Sequence, residues 1–276
     1  MPELPEVETV KETLNKYIQG LSIKQIELTY EPMIKNVSVP QFKEKLQNQK
    51  IEEITRRGKY LIFHLDDYYL LSHLRMEGKY FYQEAGTEVL PHVHATFKLS
   101  NGKQLFYQDT RKFGTFHLYD KSTNLEETPS LGVLGVEPFS EAFNEAYLKT
   151  KLQNRKRPIK SLLLDQSIVC GLGNIYADEV LFLAKIHPLT PSLKLTKKAR
   201  QDVIKYTKEV LDHAIKLKGT TIKTFSSGHG EIGAFQNQLQ IHLRQGEPCN
   251  QCQTIIEKIK VGGRGTYYCK QCQKEE

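Results

Sequence analysis

The sequence predicts an α+β chain of more than one domain, and three observations carry that prediction. An amphipathic helical repeat opens the chain. Short β-type runs fill the stretch from about residue 21 to 119, and helical periodicity returns after about residue 135. A cysteine-rich tail then closes it. With 276 residues, 39% hydrophobic and 26% charged, the chain is long enough for two or three domains with real cores. The formal net charge of +7 favours an anionic partner such as nucleic acid or a membrane surface.

The first element is a helix over 5–18. Pro5 suits a first-turn position, and Glu6 and Glu8 suit the positive end of the helix dipole. Val7, Val10, Leu14 and Ile18 recur at helical spacing and form one apolar face, so the helix docks on something. From 21 to 119 the runs SIKQIELTY, YLIFHL, YYLLSHL, HATFKLS and KQLFYQ are β-branched or aromatic and partly alternating. SNGK at 100–103 predicts a two-residue hairpin turn. Several short strands with turns point to a sandwich or barrel. The helical segments are SEAFNEAYLKTKL, IKSLLLD, NIYADEVLFLAK and TKKARQDVIKYTKEVLDHAIKLK, the last capped by Thr196. Residues 219–235, rich in Gly, Ser and Thr, read as a mobile loop.

No stretch is apolar for the roughly 18 residues that a membrane span needs. Glu3, Glu6, Glu8 and Lys11 stand where a signal peptide would carry a basic start and an apolar run. An intracellular protein without membrane partners is expected. Of five cysteines, Cys249, Cys252, Cys269 and Cys272 form Cys-x2-Cys-x16-Cys-x2-Cys. In a reducing compartment that spacing means metal rather than disulfides. Each pair grips one side of a tetrahedral ion, so one structural Zn2+ with no open position is expected. Cys170, the odd one, reads as a small buried residue.

Several basic and polar positions could meet phosphate. Arg264 lies in VGGRGTYY, at the expected tip of the hairpin between the cysteine pairs. A guanidinium there can grip a phosphate with two parallel hydrogen bonds. Lys59 follows a glycine at the entry to a strand, and KLQNRKRPIK at 151–160 carries five cations and no acid. GLGNIYADE places two glycines and Asn174 ahead of a helix, where backbone donors can cradle phosphate. Each alone is weak, because charge runs are usually solvated faces and Gly-x-Gly before a helix is usually a turn. HLRMEGK and QDTRKFG add Met76, Arg111 and Phe113, the residue types that wedge into a base stack or read a base edge. On propensity alone Met76 and Phe113 read as core.

The start, MPELPEVETV, poses a chemical question. A small second residue allows the methionine to be clipped, which need mean nothing more. Clipping would also leave Pro2 with a free secondary amine. Such an amine titrates near roughly 8 against about 10.4 for lysine, so about a tenth is uncharged at pH 7. It is a usable nucleophile without a deeply buried base.

Together, PELPEVET, RRGKYL, HLRMEGK, D-x-RKFG, GLGNIYADE, GTTIKTF and RGTYYCKQCQ closely resemble the bacterial formamidopyrimidine-DNA glycosylases, over essentially the whole chain. The resemblance implies an N-terminal helix on a two-layer β-sandwich, a helix–two-turn–helix domain and a zinc hairpin, with DNA in the cleft between the halves. It implies a catalytic sandwich domain at 1–135, a DNA-binding domain with a lesion-capping loop at 136–235, and a zinc finger at 236–276. It also implies a bacterial cytoplasmic monomer acting on damaged double-stranded DNA of the nucleoid. The implied activity is removal of 8-oxoguanine and ring-opened purines, followed by β,δ-elimination at the abasic site.

The resemblance further implies roles. Pro2 is the nucleophile and Glu3 the proton donor. Lys59 and Arg264 hold the phosphates and serve the elimination steps, and Asn174 binds phosphate. Met76, Arg111 and Phe113 fill the gap left by the extruded base, with Arg111 facing the orphaned cytosine. His92 and Arg155 contact DNA. The chain departs from the family pattern at His242-Leu243, where Tyr-Gly is frequent, at Gln253, a common glycine, and at Thr110, a common proline. Two other functions fit some of these features: an oxidised-pyrimidine glycosylase similar to endonuclease VIII, and a zinc-dependent DNA-binding protein without catalysis. An intact Pro2-Glu3 argues against the second, and the start and the wedge trio argue against the first.

Overall fold

The structure, a computed structural model, describes residues 1–153, 155–220 and 233–274. The chain divides into two compact units, one built from Met1–Thr128 with the described part of Lys218–Gly233, the other from Pro129–Leu217 and Ala234 onward.

The first unit opens with α1 (Leu4–Ile18). Its Val7, Val10, Leu14 and Ile18 enter the core, as their spacing requires. The helix begins one residue before Pro5, because Glu3 and Glu6 form a capping box in which the Glu3 N–H donates to Glu6 Oε2 at 2.8 Å. Proline is tolerated at the second helical position because the first-turn N–H groups lack intrahelical partners anyway.

Eight strands follow: β1 (Ile23–Leu28), β2 (Ile51–Arg57), β3 (Tyr60–Leu65), β4 (Tyr68–His73), β5 (Lys79–Gln83), β6 (Val93–Leu99), β7 (Gln104–Gln108) and β8 (Thr115–Asp120). They form two antiparallel four-stranded sheets, in the orders β1-β6-β7-β5 and β2-β3-β4-β8. The inner faces of both sheets and α1 share one apolar core, so the sandwich is realised rather than the barrel. Asn15 fastens α1 to β2: its side-chain amide donates to the Ile54 carbonyl and accepts the Ile54 N–H, both at 2.7 Å.

The hairpin at 100–103 joins β6 to β7 but is not a two-residue turn. Gly102 N–H reaches back to the Leu99 carbonyl, and Gly102 alone takes a left-handed φ of 82°. Asn101 keeps a negative φ, so the loop is a turn closed by a glycine bulge. One helix escapes the sequence reading: α2 (Val39–Leu46), capped by Ser38 with Gln41 three residues on.

The second unit contains α3 (Glu145–Leu152), α4 (Ile159–Leu163), α5 (Asn174–Leu183), α6 (Lys197–Lys216) and the hairpin β9 (Glu257–Val261) with β10 (Arg264–Tyr268). Thr196 caps α6 as expected, accepting the Ala199 N–H at 3.1 Å. The first of these helices starts later than SEAFNEAYLKTKL indicates, because Asn144 caps it through the Tyr147 N–H. Residues 164–173 join α4 to α5, and Gln166 organises them. Its amide donates to the Leu164 and Leu172 carbonyls and accepts the Gly171 N–H. Cys170 is buried, as read, with its thiol toward the Val136 carbonyl. The zinc hairpin has no core of its own. Ile256, Tyr267 and two cysteines pack with Phe182 and Ile241.

Among the described residues no helix is long and apolar enough to cross a membrane. Most of the loop expected at 219–235 lies outside the described residues.

Candidate functional site

In the first unit the expected catalytic residues Pro2 and Glu3 lie at the start of α1, and Lys59 lies on a turn tied to that helix. Pro2 is buried behind a half-exposed Met1, and Glu3 is 2% exposed. Glu6, expected only as an acid suited to the helix dipole, also ties this end down: beside its bond to Glu3, its Oε1 accepts the Thr220 N–H at 2.9 Å. Lys59 sits in the turn between β2 and β3, where Gly58 takes a φ of 57°, and it is 6% exposed. One chain of contacts links α1 to that turn. Arg56 donates to Glu8 Oε2 at 2.7 Å and to the Gly58 carbonyl at 2.9 Å. Burial works against the Glu8 charge, but bonds from Lys11 and Arg56 win and hold its carboxyl below the usual range. Pro2, Glu3 and Lys59 therefore share one rigid base.

The expected wedge residues fall on two loops of the same unit, and neither is core. Phe113 is 50% exposed and Met76 is half-buried. Arg111 lies over the Phe113 ring, 4.7 Å from its centre. Both loops carry non-glycine residues in left-handed backbone, Arg75 at φ 52° and Lys112 at φ 57°, and His92 does the same at φ 65°. Such conformations persist only where surrounding bonds impose them. Two buried acceptors supply those bonds. Asp109 accepts the Arg111 N–H at 3.0 Å, the Phe113 N–H at 2.9 Å and the Gly114 N–H at 2.7 Å. His73 Nδ1 accepts the Arg75 N–H at 2.9 Å. Neither was singled out from the sequence, although an Asp two residues before a turn N–H is a readable signal.

Burial lowers the His73 pKa to about 3, with Arg75, Lys59 and His117 adding repulsion. Below about 6.5 the unfolded chain takes up a proton here that the folded one refuses, so stability falls as pH drops from 6.5 toward 3. The loss is on the order of 4–5 kcal/mol over the window. The slope of stability against pH between 6.5 and 5, above most carboxylates, will flatten in His73→Asn, which keeps an acceptor for the Arg75 N–H. Urea unfolding at stepped pH measures it, and an unchanged slope would mean that His73 is not the group.

The second unit holds Arg155, Asn174, Arg264 and the cysteines. Gly262 and Gly263, at φ 56° and 79°, form the two-residue turn of the β9–β10 hairpin, and the exposed Arg264 is the first residue after it. Asn174 opens α5 and donates through Nδ2 to the Gly265 carbonyl at 2.9 Å, so the structure brings Asn174 beside Arg264. Arg155 is half-buried in the loop before α4, its carbonyl accepting the Ser192 hydroxyl at 2.6 Å.

Lys160 does not belong to the solvated basic run in which it was read. It is fully buried, its ammonium 2.6 Å from Asp178 Oδ1 and 2.8 Å from Thr266 Oγ1. The other Asp178 oxygen lies 2.7 Å from His242 Nδ1. His242 is thus an internal residue, bonded to α5 and packed edge-on against Tyr267 of β10 at 5.0 Å. Glu179 accepts the N–H groups of Gln240, Ile241 and His242; burial pushes its pKa up against the lowering effect of those donors. Leu243 and Gln253, the two departures from a frequent glycine, adopt left-handed φ of 64° with their side chains, at a cost of about 1 kcal/mol each.

The four cysteine sulfurs lie within 4.8 Å of one another, with Cys249–Cys272 at 3.9 Å and Cys252–Cys269 at 3.4 Å. Zinc–thiolate bonds of about 2.3 Å require tetrahedral edges near 3.8 Å, so the site fits one zinc ion. Protein fills all four positions, which makes the zinc structural.

Comparison with known proteins agrees with this geometry. Residues 1–116 match the model of the formamidopyrimidine-DNA glycosylase N-terminal domain, 134–226 that of the formamidopyrimidine-DNA glycosylase H2TH domain, and 246–274 that of the zinc finger found in FPG and IleRS. The formamidopyrimidine-DNA glycosylase of Halalkalibacterium halodurans is 47% identical over 275 residues, covering 99% of this chain and 100% of that one. A Lactococcus lactis FPG mutant in complex with Fapy-dG containing DNA superposes with a TM-score of 0.92 at 44% identity, over 99% of this chain and 100% of that one. The Lactococcus lactis Fpg in complex with abasic site containing DNA gives the same three values and the same coverage of its own chain. With the sandwich, the helical unit and the four-cysteine hairpin all in place, the chain belongs to the formamidopyrimidine-DNA glycosylase family.

Proposed function

We propose that this chain is a bifunctional DNA glycosylase and abasic-site lyase of base excision repair, acting on oxidised purines such as 8-oxoguanine and formamidopyrimidines in duplex DNA. The observation that supports it most is the grouping of Pro2, Glu3 and Lys59 on one base formed by α1 and the β2–β3 turn, joined through Glu8, Arg56 and Gly58. The Lactococcus lactis complexes, with Fapy-dG and with an abasic site, match the two substrates that such an enzyme must hold.

In the proposed mechanism Met1 is removed and the base is extruded from the stack. The Pro2 nitrogen attacks the sugar C1′, the C1′–base bond breaks with its electron pair leaving on the base, and the nitrogen then gives up its proton to solvent, which frees its electron pair. Glu3 donates a proton to the ring oxygen, so the C1′–O bond opens and an iminium forms between Pro2 and C1′. The iminium acidifies C2′. Loss of a C2′ proton expels the 3′ phosphate, and a second elimination expels the 5′ phosphate. Lys59 and Arg264 supply the cations that hold those phosphates, and Asn174 and Arg155 hold the flanking backbone. His92 contacts the DNA, while Met76, Arg111 and Phe113 fill the vacated space, with Arg111 at the unpaired cytosine. We assign the sandwich through residue 135 to catalysis, 136–235 to DNA binding and lesion capping, and 236–276 to the zinc finger.

Borohydride trapping on a duplex with 8-oxoguanine opposite cytosine, followed by mass spectrometry of the linked peptide, tests this. A crosslink on Pro2 is expected. No crosslink from a chain with a free Pro2 terminus that still binds the duplex would overturn it. Trapping only on oxidised pyrimidines would move the substrate class.

A further inference from the structure

We propose that Tyr107 is a positioning residue of the wedge: its phenolic oxygen is the stop on which the Met76 loop and the Arg111–Phe113 loop both close, and it sets their separation. The proposal rests on the reading of Met76, Arg111 and Phe113 as the residues that enter the base stack.

Three observations lead to it. The Tyr107 ring is fixed: it sits in β7, with Tyr80 at 5.2 Å and Phe116 at 5.1 Å packed edge-on against it. Its hydroxyl is buried without a hydrogen-bond partner, whereas the neighbouring Tyr80 hydroxyl donates to Ser72 at 2.7 Å. Leaving a buried hydroxyl unpaired works against stability, and phenylalanine would fill the same ring space without that penalty. Burial also raises the Tyr107 pKa, so the group stays a neutral hydroxyl.

The third observation says what the oxygen does. A Cβ at Gly78 would come within 2.4 Å of it, and a Cβ at Gly114 within 1.6 Å. Neither glycine has a positive φ, so neither is required by backbone conformation. Both are required by space: the Tyr107 oxygen is the nearest atom at each, and at Gly78 the Leu74 carbonyl oxygen, 2.7 Å from the added Cβ, closes the other side. Gly78 lies two residues after Met76, and Gly114 directly follows Phe113. Asp109 receives the Gly114 N–H at 2.7 Å, the Leu74 carbonyl receives the Gly78 N–H at 2.9 Å, and Thr110 bonds to Glu77 across the outer rim. The two loops are therefore tied at the rim and stopped at the base. Without the oxygen they can settle inward, and Met76 and Phe113 lose their set spacing.

The test is Tyr107→Phe in the zinc-loaded, Met1-processed full chain. Extrusion is followed by stopped-flow fluorescence of a 2-aminopurine beside the lesion. Single-turnover cleavage is compared between a lesion duplex and an abasic duplex, which has no base to extrude. We expect an unchanged or raised Tm, with extrusion and the lesion-to-abasic rate ratio both falling about tenfold, as slight misplacement of a positioned group does. Phe113→Ala is the reference. Wild-type extrusion by Tyr107→Phe, with Phe113→Ala slow, would overturn the proposal alone. Wild-type extrusion by both would overturn the wedge reading and the proposal with it.

Discussion

A preparation that keeps Met1 will bind a damaged duplex and cleave it at least about 10³-fold more slowly than the processed chain, the scale seen when a nucleophile is removed. The reason is the bonding at one nitrogen. Inside the Met1–Pro2 peptide bond the Pro2 nitrogen is a tertiary amide, its lone pair delocalised into the carbonyl. After processing it is a secondary amine with a nucleophilic pair and a proton to lose. Pro2→Gly isolates the ring's contribution, since the processed variant still presents a primary amine. It will cleave at a reduced rate and still trap with borohydride. The fold offers no reason for binding to change. α1 is held by its apolar face, by Asn15 and by the Glu3–Glu6 box, and none of these needs the amine. Single-turnover cleavage beside equilibrium binding separates the effects. Equal cleavage with and without Met1 would remove Pro2 from the mechanism.

The parts of this site that were legible in the sequence are those set by neighbours along the chain. The spacing of Val7, Val10, Leu14 and Ile18 places α1, Thr196 marks the start of α6, and the paired cysteines announce the zinc. The glycines around Arg264 predict the hairpin tip on which it stands. Two further signals are also local: the Ser38–Gln41 capping box of α2, and the Asp109 turn that holds the Arg111–Phe113 loop. Other features were not local at all. Lys160 and Thr266 are 106 positions apart, and nothing in a run of cations marks the one that will be buried. β2 mixes acids and arginines, so its alternation is faint, and its pairing with β3 makes it a strand. Tyr107 looks like any β-strand aromatic. Only the two glycines facing its oxygen set it apart.

Chelation of the zinc will abolish duplex binding, by about a hundredfold or more, while leaving the first unit folded. Zinc binding free energy in small four-ligand sites is folding free energy, about 10–16 kcal/mol in isolated peptides. This hairpin has little else to hold it. Cys249 and Cys269 are themselves members of the small apolar cluster through which Ile256 and Tyr267 pack on Phe182 and Ile241. Releasing the metal leaves four thiols in place of a crosslink and frees β10. The effect spreads inward through Lys160. That ammonium bonds to Thr266 and Gly265 on β10 as well as to Asp178, so loss of the strand strips partners from a charge with no access to water. A buried ion deprived of partners costs about 3–5 kcal/mol. The second unit should therefore melt earlier as a whole rather than lose its tail alone. Arg264→Ala provides the control, because it removes the guanidinium proposed to hold phosphate and leaves the zinc in place. It will bind more weakly with an unshifted Tm, whereas the metal-free protein will lose both. Metal-free protein that binds the duplex unchanged would remove the hairpin from the interface.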